Sequence, residues 1–217
     1  MAELKSTIKQ LTPINTDKEI VITALRADRR MVEMHAKRLT ELFKNETQQQ
    51  INMKLQNIIA RENVFNAIME ETVRNFETTF DEDELKTLKE RLKTQFPQQN
   101  ENNLTEIAKK VIIKTLIFRE LGKQWNISVT DDEINASLEQ YYKVSNQSIR
   151  DYKENKEKFE GIRNVIFEEK ITNELIKKYS NVRIDWETIK KQQEEMIAKQ
   201  KESAAQQPPT EDSKKTN

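Results

Sequence analysis

The chain has 217 residues, of which 35% are hydrophobic and 34% charged, with two glycines, four prolines and no cysteine. That little turn chemistry excludes β-rich folds and Gly-rich phosphate loops, and the lack of cysteine excludes a disulfide framework or a thiolate site. Lysine plus arginine equals aspartate plus glutamate at 37 each, so no net field draws the chain to nucleic acid or to an anionic membrane.

The chain therefore reads as all-α, with a core thin for its length and an elongated body carrying protruding helical arms. Leu4, Ile8 and Leu11 predict a short amphipathic helix ended by Pro13, and Thr16 or Asp17 caps a second one. The stripe of that second helix is Val21, Leu25, Asp28, Val32, His35, Leu39 and Leu42. The same alternation of four and three returns in Ile51, Leu55, Ile58, Glu62, Phe65, Met69, Thr72 and Phe76. Residues 1–80 are expected to form an arm hairpin of two long helices with a coiled-coil-like seam. Asp28, His35 and Glu62 are its polar members, which either fix register or lie at its wet edge.

Residues 81–184 are expected to form the body and a second arm. Asp81 or Asp83 caps a helix bearing Leu85, Leu88, Leu92 and Phe96, which Pro97 stops before the polar loop PQQNENN. From Leu104 to Trp125 apolar residues cover so much of the circumference that the helix must be surrounded. Thr130 and Glu133 have capping-box spacing and Val129 and Ile134 that of a hydrophobic staple, so the next helix starts at Asp131. A third segment has Phe159, Ile162, Val165, Ile166, Ile171, Leu175, Ile176 and Tyr179 at helical spacing. Val182 and Ile184 suggest a brief extended piece. A charged helix over 185–200 follows, with Trp186, Ile189 and Met196, and then a disordered tail over 201–217.

These residues offer little for catalysis. His35 is the single histidine, which leaves no zinc site of ordinary composition, and no nucleophile elbow or cofactor loop is present. The acidic pairs near helix starts suit the helix dipole. Arg26, Arg29, Arg30, Lys37 and Arg38 are interspersed with acids and read as a solvated face, without nucleic-acid binding. The longest apolar stretch, near Val111 to Phe118, is broken by Lys114 and too short to span a membrane. MAELKSTIKQL lacks the apolar run of a secretory signal, so a cytoplasmic location is expected.

Met31, Met34, Met53, Met69, Phe76, Phe80 and Phe96 are surplus to a thin hairpin. They either pack between helices or form a polypeptide-binding surface, where flexible thioethers refill differently shaped gaps. Each large apolar side chain buried against a client contributes roughly 1.5–3 kcal/mol, so a few contacts bring affinity to around micromolar after ordering costs. Release then needs no nucleotide. Two other expectations are a helical scaffold or adaptor for one specific partner, and a homodimer through the seams.

The succession KKVIIKTLIFRELGKQWNISVTDDEINASLEQYY, then SIRDYKENKEKFEGIRNVIFEEKITNELIKKYSNV, resembles the C-terminal chaperone domain of bacterial trigger factor, and more distantly the chaperone part of SurA-like proteins. The resemblance rests on the wide apolar helix, the Val129-Thr130-Asp131 helix start, Tyr152 with Asn155, and Arg163, Asn164, Glu168, Glu169 and Leu175. It implies an ATP-independent chaperone for unfolded or nascent polypeptides. The family's ribosome-docking signature, Gly-Phe-Arg-x-Gly-Lys, occurs nowhere, and two glycines cannot build its FKBP-like isomerase domain. Neither prolyl isomerase activity nor that mode of ribosome attachment is expected.

Overall fold

A computed structural model of the chain describes residues 4–145 and 148–205. Among them the order is β1 (Thr7–Gln10), β2 (Ile20–Ile22), α1 (Arg29–Leu42), α2 (Gln48–Val73), β3 (Phe76–Thr79), α3 (Glu82–Gln95), α4 (Glu101–Gln124), α5 (Asp131–Ser145), α6 (Arg150–Glu154), α7 (Lys156–Lys178), β4 (Val182–Ile184) and α8 (Trp186–Ala205). Helix dominates, as the scarcity of turn residues requires.

The three longest helices, α2, α4 and α7, meet in one core. It holds Ile68 and Met69 of α2, Ile117, Phe118 and Leu121 of α4, and Phe167, Ile171 and Leu175 of α7, closed by Phe76 and Tyr179. The helical contributors come from the middle of their helix onward. The N-terminal halves extend away, each with a shorter partner: α1 against α2, α3 against α4, and α5 with α6 against α7. On the second of these arms Leu92, Leu104 and Ala108 form a separate small cluster with Leu85 and Leu88. The architecture is thus three helical arms rooted in one core.

Local chemistry sets the helix starts. Asp81 accepts a hydrogen bond from Glu84 N (2.8 Å), Asn100 from Asn103 N (2.8 Å) and Asn155 from Lys158 N (3.1 Å). The Thr130–Glu133 box forms in both directions, at 2.9 Å and 3.3 Å. At the other end of α4, Asn126 takes φ 56°, the left-handed conformation. Ile127 N then bonds Gly122 O (2.9 Å) and Asn126 N bonds Lys123 O (3.3 Å), closing the helix with a Schellman pattern.

Several expectations are corrected at the N-terminus. The segment of Leu4, Ile8 and Leu11 is not a helix: β1 pairs antiparallel with β3, Thr7 opposite Thr79 and Gln10 opposite Phe76. A spacing of four fits both the helical and the strand period, and a partner strand remote in sequence decides between them. No helix starts at Thr16 or Asp17. β2 pairs in parallel with β4, Ile20 opposite Val182, which also makes the extended piece near Val182 part of a sheet. Helix α1 begins only at Arg29, with Asp28 as its cap and not a seam residue. Helix α2 ends at Val73, so Phe76 belongs to a strand.

The hairpin itself exists as α1 against α2. The second half of α2 and Phe76 of β3 pack in the core with α4 and α7, and Ile8 of β1 and Ile20 of β2 rest against it. His35 and Glu62 meet across the hairpin, Nε2 to Oε1 at 3.1 Å. Deeper in the arm, the buried Asn63 accepts from Arg26 N (2.8 Å) and donates to Arg26 O (2.9 Å), which straps the segment before α1 to α2. Helix α8 continues to Ala205, into the stretch expected to be disordered. The rest of that expectation, 206–217, lies outside the described residues.

Candidate polypeptide-binding surface

The seven residues singled out divide by exposure. Met31, Met34, Met53 and Phe96 are 41%, 53%, 51% and 38% exposed, whereas Met69 and Phe76 are 9% and 8% exposed. Phe80 is half-buried. Of the two expectations for these residues, Met69 and Phe76 take the first: they pack in the core formed by α2, α4 and α7. The exposed four do not form one patch. Met31 and Met34 stand one turn apart on α1, Met53 lies in the early turns of α2, and Phe96 closes the end of α3 on another arm.

Where the arms join, α2, α4 and α7 offer a mixed floor. Phe65 and Phe118 meet edge to face with centroids 6.0 Å apart. Lys114 Nζ lies 5.2 Å from the Phe118 ring and 2.7 Å from Glu168 Oε2, linking α4 to α7. Arg61 donates to Asn173 between α2 and α7. These contacts set the spacing of the helices at the base of the arms.

The third arm is fixed by a polar clamp that includes Val129, Asp131 and Arg163, three of the residues that carry the family resemblance. Arg163 donates to Val129 O (2.6 Å), pairs with Asp131 and bonds Glu160. Lys170 donates to Ser128 O (2.8 Å) and to Glu133 Oε1 (2.5 Å). The Lys170 hydrogen bond, together with Thr130 N, holds the Glu133 carboxyl below its usual range. Ile134 and Leu138 are buried beneath this clamp, so α5 is docked on α7 by charge and apolar contact together.

Further exposed apolar residues were not singled out as surface. Val165, expected on the buried stripe of α7, is 63% exposed. It stands two residues from buried Phe167 and hence on nearly the opposite helix face, a signal the sequence did contain. Val111 breaks the expectation that α4 is surrounded: it is exposed and lines a cleft of about 350 Å³ with Leu4, Leu88, Arg91 and Thr115. Tyr141, Tyr142 and Val144 expose the end of α5, beside a cleft of about 670 Å³ bordered by Tyr142, Ile149, Arg150 and Lys153. Among the described residues no helix is long and apolar enough to cross a membrane.

The family model of the bacterial trigger factor protein C-terminus matches residues 65–177. An uncharacterized protein of Mycoplasma pneumoniae, the MG377 homolog, is 37% identical over 174 residues, which is 80% of this chain and 90% of the relative. The uncharacterized protein MG377 of Mycoplasma genitalium is 36% identical over the same shares. The trigger factor of Pelagibacter ubique is 29% identical over 120 residues, 54% of this chain but 24% of that protein. The crystal structure of the hypothetical Mycoplasma protein MPN555 superposes with a TM-score of 0.75 at 34% identity, covering 86% of this chain and 94% of that one. The span 65–177 takes in the C-terminal end of α2, all of α4 and nearly all of α7, with the second and third arms. It leaves out α1, β1, β2, β4 and α8.

Proposed function

Since this chain belongs to the family of the bacterial trigger factor C-terminus, we propose that it is an ATP-independent holdase for unfolded or nascent polypeptides. Clients bind against the exposed apolar residues of the arms. The observation that carries this reading is the spread of exposed apolar residues over all three arms: Met31, Met34 and Met53 on the first, Phe96 and Val111 on the second, and Val165 on the third. A single folded partner is matched by one contiguous apolar core, whereas scattered small contacts suit clients without fixed shape. Such contacts are individually weak, so release proceeds by mass action. The chain acts in the cytoplasm and has no prolyl isomerase activity.

The test is light scattering while a chemically unfolded model protein is diluted with an equimolar amount of this chain and no ATP. Suppressed aggregation of several unrelated clients is the expected outcome. No effect on any of them refutes the holdase reading and leaves a scaffold for one partner.

A further inference from the structure

We propose that the outer face of α1 docks acidic, apolar polypeptide segments, so that the first arm selects clients by charge. The inference rests on the holdase reading and gives it a substrate class. Arg30, Met34 and Arg38 follow one another at intervals of four and form one row along α1, with Met31 beside Met34. All four side chains are exposed.

The neighbouring charges are engaged elsewhere. Arg29 bonds Glu33 (2.9 Å), Lys37 faces Glu41 (4.0 Å), Arg26 reaches Glu70 (3.8 Å) and Glu62 holds His35. Asp28 is occupied as the helix cap. Among the described residues Arg30 and Arg38 have no ion-pair partner, so two guanidinium forks stand free on either side of two exposed thioethers. A guanidinium matches a carboxylate through paired hydrogen bonds, and methionine adapts to many apolar shapes.

The spacing defines the ligand. Arg30 and Arg38 are two helical turns apart, about 12 Å along the axis. An extended segment covers that distance in about four residues. The fitting segment therefore carries apolar residues bracketed by two carboxylates about four positions apart. Nucleic acid fits less well, because the row has no aromatic ring for base stacking and thioethers occupy its centre.

The test uses the full chain and fluorescence anisotropy of short labelled peptides with one apolar sequence, flanked either by glutamates or by lysines. The glutamate peptide is expected to bind about tenfold more tightly than the lysine peptide. The Arg30→Glu/Arg38→Glu variant should reverse that order, and Arg30→Gln/Arg38→Gln, which is milder toward folding, should abolish it; circular dichroism checks that both remain helical. Equal binding of the two peptides, unchanged in both variants, overturns the proposal while leaving the holdase reading in place. A labelled single-stranded oligonucleotide that binds more tightly than the glutamate peptide, and is lost in the same variants, also overturns it. If neither peptide binds and aggregation is not suppressed, both readings fail together.

Discussion

The two glycines of this chain both sit in helices, where glycine costs roughly 0.5–1 kcal/mol relative to alanine. Their surroundings differ. A Cβ on Gly122 would lie 2.5 Å from Cζ of Phe167, whereas one on Gly161 meets nothing within 4 Å. Gly122 is what lets α4 approach α7 at the centre of the core. Gly122→Ala should therefore destabilise the protein by about 1–3 kcal/mol through overpacking, and Gly161→Ala should stabilise it by about 0.5–1 kcal/mol. Urea midpoints that move in opposite directions for the two variants meet this expectation; a stabilised Gly122→Ala contradicts the close packing. The sequence counted these glycines but could not rank them, because the ring that decides the matter belongs to another helix.

At the scale of elements, docking of α5 and tethering of the segment before α1 both depend on polar side chains reaching across the fold. Glu133 has its carboxyl pKa lowered, chiefly by Lys170. A depressed carboxylate contributes stability at pH values above its unfolded titration and loses it as pH falls through its folded one. Hydrogen exchange of the α5 amides should thus accelerate on acidification below the usual carboxylate range, and Glu133→Gln should flatten that dependence. Asn63→Ala removes the strap on Arg26 and should cost about 1–3 kcal/mol, with faster exchange of the Arg26 amide than of the α2 core amides. The Thr130–Glu133 capping box was legible because its two members are three residues apart. Its engagement by Lys170, and the meeting of Asn63 with Arg26, were not, since nothing local links those residues.

At the scale of the molecule, the holdase reading separates methionines that look alike in sequence. Replacing Met31, Met34 and Met53 together by serine should leave stability within about 0.5 kcal/mol per site, as surface changes do, yet weaken suppression of client aggregation. Met69→Ser should instead cost about 2–5 kcal/mol, as truncation in a packed core does, and show itself as a lower denaturation midpoint. Aggregation assays paired with melting curves distinguish the two behaviours; unchanged suppression by the triple variant would place client binding elsewhere, with the aromatic end of α5 as the next candidate. The sequence by itself determined the helical class, the helix start at Thr130, a cap at Asp81 or Asp83, and the family, because caps and i,i+4 stripes are short-range and carry their own physical cause. Only the tertiary structure decided that the N-terminal segment forms strands with β3 and β4, that Met69 and Phe76 are buried, and that Val165 is not. Each of those outcomes depends on a partner far away in the chain, and an apolar side chain spells the same residue whether the fold covers it or leaves it bare.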